Sequence, residues 1–148
     1  MNHLKKYNEA DLASDKYKQQ DLLRTLEDMS LELCDENFNV GVGYDDFRGL
    51  ITVSIQKMRH IYSPLGDYGA PRFDYNKIKD TFLSMISYME SEGHSIGSIE
   101  VSDKYVHNLI PVKLKGEELY LKFRPEQRQR VDYSIAQLVI KFLVVNQV

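Results

Sequence analysis

No apolar run in this 148-residue chain approaches the roughly 20 residues that a helix needs to cross a bilayer, so no membrane partner is expected. Met1 to Tyr7 carries lysines with no apolar stretch behind them, which excludes a secretory signal there and makes a cytoplasmic protein the expectation. Cysteine occurs once, as Cys34, so no intramolecular disulfide is available. Its place in a helical pattern reads as a packed or partly packed thiol, not a nucleophile. His3, His60, His94 and His107 fall in four separate segments, none with a second His or Cys close behind it, and zinc spacing is absent. There is no GxSxG elbow, and Ser84, Ser87 and Ser91 sit on a helical pattern as surface residues. Gly41 and Gly43 form a bare GxG inside a strand pattern with no helix start behind it, which is no phosphate cradle. No cofactor, metal or catalytic residue is therefore expected.

Carboxylate pairs do occur, at Asp45 with Asp46, Glu90 with Glu92 and Glu117 with Glu118. Neighbours in a strand point to opposite faces and those in turns face water, so they read as solvated surface. Asp45 and Asp46, at a hairpin tip, could hold a hard cation, but lack the further oxygen ligands at fixed spacing that such a site requires.

What is present is an ordinary globular composition, 43% hydrophobic and 28% charged. A chain of this length buries roughly 70% of its unfolded surface, enough for one core without staples. Residues 1–148 are expected to form a single domain, with a flexible N-terminal arm at 1–13 that has few apolar anchors. The net charge of −3 gives no overall attraction to nucleic acid, yet it is unevenly spread. Residues 1–36 hold 5 basic and 9 acidic groups, residues 37–103 hold 6 and 9, and residues 104–148 hold 8 and 4.

Two helices are legible from apolar spacing. Behind a cap at Ser14, Leu22, Leu26, Met29 and Leu33 recur along one face to about Cys34. Behind a cap at Asp74, Ile78, Phe82, Met85, Ile86 and Met89 do the same, and Gly93 ends the run. Alternation marks the strands. Phe38, Val40, Val42 and Tyr44 pair with Ile51, Val53 and Ile55 as a hairpin whose longer loop is closed by Gly49. Gly41 and Gly43, on the face away from the helices, leave room for another backbone. Ile99 and Val101 mark a third strand, and residues 110–124 a second hairpin turning at Gly116 with a basic outer face. The last segment fits either a helix opened by Pro125 or a strand from Gln137, and its β-branched residues favour the strand. The sum is an α+β two-layer sandwich with a mainly antiparallel sheet and two helices on one face, in the order helix, two strands, helix, three or more strands.

Two stretches are candidates for binding. The loop from Met58 to Phe73 sets arginines beside tyrosines, the mixture of forked donors and flat rings enriched at protein interfaces. Arg59, Tyr62, Tyr68, Arg72 and Phe73 are its partner-binding candidates. The second hairpin places Lys113, Lys115, Lys122 and Arg124 on one face with Tyr120, an alternative suited to nucleic-acid phosphates and a stacked base. Lysines that protect a sheet edge produce the same pattern.

The hairpin from Val40 to Ile55, followed by Ile78, Lys79, Asp80 and Phe82 through Tyr88 to Gly93 and into Ile99, Glu100 and Val101, resembles small uncharacterised proteins of tailed bacteriophages. That resemblance implies a virion component or an accessory factor, placed in the host cytoplasm or the particle, and supplies no catalytic residue. The expected function is a non-enzymatic interaction or assembly protein whose partner is another protein or its own copies. Nucleic-acid binding through residues 110–124 is the alternative.

Overall fold

The structure is a computed structural model that describes residues 2–58, 71–102, 109–122 and 135–144, with the side chains of the first helix described from Gln19 onward. Helix α1 spans Asn2–Asp35. It therefore begins well before Ser14, which lies in its interior, and the stretch expected to be a flexible arm has helical backbone. The chain carries neither Gly nor Pro before Gly41, so nothing in these residues interrupts a helix once it has formed. Asn37 ends it in the left-handed conformation (φ 67°), where an asparagine is tolerated better than most residues.

Strands β1 (Phe38–Asp45) and β2 (Leu50–Lys57) form the expected hairpin. Gly49, at φ 65°, closes its four-residue loop, and its N–H donates to the Asp45 carbonyl at 2.9 Å. Asp74 does cap a helical turn, its carboxylate accepting from the Asn76 N–H at 2.9 Å, but the turn is a single 3-10 turn, Tyr75–Lys77. Helix α2 proper is Lys79–Ser91, and Phe82, Met85, Ile86 and Met89 are buried on the predicted face. Past its end, Gly93 takes φ 88° and the His94 N–H returns to the Met89 carbonyl at 2.9 Å.

Strand β3 is Ser95–Ser102, longer than the alternation at Ile99 and Val101 suggests, because Gly97 absorbs a bulge. A Cβ there would lie 3.1 Å from the Lys141 carbonyl and 3.2 Å from the Leu143 side chain. Strands β4 (Ile110–Lys115) and β5 (Glu118–Leu121) make the second hairpin, and β6 is Gln137–Leu143, as its β-branched residues predict.

All neighbouring strands are antiparallel, in the order β1-β2-β6-β3-β4-β5. The last strand in the chain thus enters the middle of the sheet, where Leu138, Val139, Ile140 and Phe142 are buried. Ile51, Val53, Ile55, Leu138, Ile140, Phe142, Ile99, Val101, Val112 and Leu119 share one face and form a single core with Leu22, Leu26 and Leu33 of α1 and the buried stripe of α2. Each fully buried aliphatic or aromatic side chain contributes about 1.5–3 kcal/mol by leaving water. Both helices lie on that face, α1 against β1 and α2 beside α1 and β3, and among the described strands β1 and β5 are the edges.

Candidate interaction edge

Of the loop residues expected to bind a partner, Arg59, Tyr62 and Tyr68 lie outside the described residues. Arg72 is exposed. Phe73 is not: it is buried, and its ring meets that of Phe38 edge-on at 5.1 Å. Its backbone exchanges two hydrogen bonds of 2.9 Å with Ile135. Phe73 is therefore a core residue that pins the chain entering β6, and the expectation that it anchors a partner is corrected.

The basic hairpin has mixed sign. Lys113, Lys115 and Lys122 are exposed and Tyr120 is half-buried, while Arg124 lies outside the described residues. On the face away from the helices Lys113 sits across from Tyr120, but Lys115 sits across from Glu118. Glu117 at the turn pairs with Lys79 at 3.3 Å. Cys34 is exposed, whereas a packed or partly packed thiol is expected of it. Among the described residues no three His, Cys, Asp or Glu side chains are placed to hold a metal, and no helix is long and apolar enough to cross a membrane. The Asp45 carboxylate is committed to its own loop, accepting from the Phe47 N–H at 3.0 Å and the Arg48 N–H at 3.3 Å.

That commitment has a visible result: Phe47, held by the Asp45 turn, projects fully into solvent beside the end of β1. The β1 edge itself is the larger feature. The Met58 N–H donates to the Asn37 carbonyl at 2.8 Å, so in this register the odd-numbered residues of β1 bond β2. The N–H and C=O groups of Val40, Val42 and Tyr44 therefore point outward, away from the sheet. Among the described strands none pairs with that side of β1. Natural edges are commonly blunted by lysine, proline, a bulge or short length. β1 has eight residues, an unbroken register, and neither Lys nor Pro.

On the outer face Gly41 and Gly43 leave the backbone bare, with no atom within 4 Å of a Cβ built at either position. On the inner face Tyr44 is tied to α1, its hydroxyl accepting from the Gln19 side chain at 2.9 Å. Burial raises the Tyr44 pKa, and the charge of Asp46 and then of Asp45 adds to this, while the Gln19 bond works the other way. The phenol keeps its proton at neutral pH.

The alternation Phe38-Val40-Val42-Tyr44 discloses the strand, and the two glycines its bare face. That β1 is an edge depends on where β6 inserts, which no local pattern reveals. Compared with protein-family models, curated proteins and solved structures, the chain matches none.

Proposed function

We propose that this chain is a non-enzymatic protein-binding module that takes an extended segment of another chain onto the edge of β1. The observation that carries this is the outward row of N–H and C=O groups at Val40, Val42 and Tyr44 on a long, regular strand without lysine or proline. Strand addition draws its affinity from such main-chain groups and its selectivity from alternate side chains. Val40, Val42 and Tyr44 are half-buried and present a ready apolar row on the helix side. The bare glycines admit a second backbone or a large side chain on the other side. Phe47, a fully exposed aromatic at the end of the edge whose backbone N–H donates to the Asp45 carboxylate, supplies the anchor.

The test is amide exchange of the chain in the presence of a panel of extended, β-prone octapeptides. Strand addition protects the amides of Val40, Val42 and Tyr44 and leaves those of Gly41 and Gly43 unchanged, since the latter already bond β2. Protection should vanish in Val42→Pro, whose lost N–H faces outward. If no peptide protects β1, or protection falls on another element, the proposed function is wrong.

A further inference from the structure

We infer that the strand taken up by β1 is β5 of a second copy, so that copies join head to tail through opposite edges of one continuous sheet; this rests on reading β1 as a docking edge. Four features favour that occupant. The first is direction. Six strands alternate strictly, so β1 and β5 run opposite ways, and a copy placed beside another in the same orientation adds antiparallel with its helices on the same face.

The second is hydrogen-bond parity. Gly116, at φ 64°, turns β4 into β5 through two residues, and the Lys122 N–H donates to the Pro111 carbonyl at 3.3 Å. Glu118 and Tyr120 therefore bond β4, and the N–H and C=O groups of Leu119 and Leu121 point outward. Their side chains lie on the helix side, as do those of Val40 and Val42. Setting Leu119 against Val42 of the next copy and Leu121 against its Val40 satisfies the outward groups and keeps the apolar rows continuous.

The third is shape and charge at the outer face. That register brings Tyr120 beside Gly41 of the next copy, and an aromatic ring lying over a bare edge glycine is a stabilising cross-strand pair. Moving the register by two would set Glu118 beside Asp45, a like-charge pair that disfavours it. More broadly, the exposed face of α1 carries Asp21, Glu27, Asp28, Glu32 and Asp35 against Arg24, whereas the second hairpin carries Lys113, Lys115 and Lys122 against Glu117 and Glu118. The strongly acidic α1 side is repelled less by that hairpin than by a second α1, which steers unlike edges together.

The fourth is steric. Joining β1 to β1 about a two-fold axis would place two copies of α1, each packed on its own β1, roughly 5 Å apart given the spacing of strands. Helices need 8–10 Å between axes. The β5 edge brings no such helix, since α2 packs at β3. Joining unlike edges does not stop at two, and yields a ring or an open filament.

The experiment uses two full-length variants, one with β1 blocked (Val42→Pro) and one with β5 blocked (Leu121→Pro), each changing an outward amide. Gly41→Lys and Tyr120→Lys serve as a second pair if circular dichroism shows either proline variant unfolded. Sedimentation velocity of the wild type should show species larger than a dimer growing with concentration, or one closed ring. Each variant alone should be monomeric, and an equal mixture should form a dimer and nothing larger, because one good edge of each kind remains. A wild type that is monomeric or stops at a dimer, or a mixture that stays monomeric, overturns the inference. If peptides still protect β1 in that case, the docking edge stands with a different occupant; if they do not, both fall.

Discussion

The two edges of this sheet are built differently. β1 is eight residues long, regular and backed by a helix along its length, while β5 is four residues long and its hairpin carries lysines. β5 is held in place from outside the sheet, by the Tyr75 hydroxyl donating to the Glu117 carbonyl at 3.0 Å and by the Lys79–Glu117 pair. β1 therefore offers the longer row of outward main-chain groups, and β5 a shorter row fixed in place from outside the sheet. Two unlike edges give the sheet a direction, and that asymmetry is what the proposed function draws on.

The comparison can be broken at several points, the strongest being proline at adjacent positions of β1. Gly43→Pro removes an N–H that bonds β2 and should cost about 3 kcal/mol or more in urea unfolding, whereas Val42→Pro, with its N–H outward, should cost well under that. Equal losses would show that the edge is not where the hydrogen-bond pattern puts it. Leu119→Ala, at the one fully buried position of β5, should cost about 2–5 kcal/mol, because the short edge depends on that anchor. Tyr75→Phe keeps the ring against Phe82 and deletes only the hydroxyl tether, for an expected loss of about 1 kcal/mol. A larger loss would mean that β5 is held mainly from outside.

The smallest effect concerns His94, at the entry to β3. Burial lowers its pKa despite the opposing charge of Glu92. The unfolded chain, with an ordinary imidazole, therefore binds the proton first as pH falls. The neutral group's contribution to stability is complete above about pH 6.5 and is lost below it as pH falls through the folded pKa. His94→Gln should flatten stability between about pH 7 and pH 5, measured by chemical denaturation at each pH, with only a modest change because the ring is partly exposed.

Much of this architecture was legible locally. Leu22, Leu26 and Leu33, then Phe82, Met85 and Met89, mark helix faces by spacing alone, and Val40 to Tyr44 mark a strand by alternation. Gly49 and Gly116 fall where positive φ is required. The misplaced features depend either on distant partners or on residues whose local signal fits two conformations. Phe73 looks like the end of a surface loop until Ile135, sixty-two positions later, bridges to it. Asp74 looks like the cap of α2 because nothing local separates a 3-10 turn from the helix after it. Ser14 looks like the start of α1 because a good capping residue is also an acceptable interior one. The edge character of β1 followed the same rule: the residues give the strand, and only the insertion of β6 between β2 and β3 decides which side of it is left open.

Amide exchange of the dilute chain measures that openness most directly. The Val40, Val42 and Tyr44 amides should exchange orders of magnitude faster than those of Asn39, Gly41 and Gly43, alternating residue by residue, and should slow as concentration rises. Uniform protection along β1 at the lowest concentration would mean that the chain covers this edge itself, and would contradict the account.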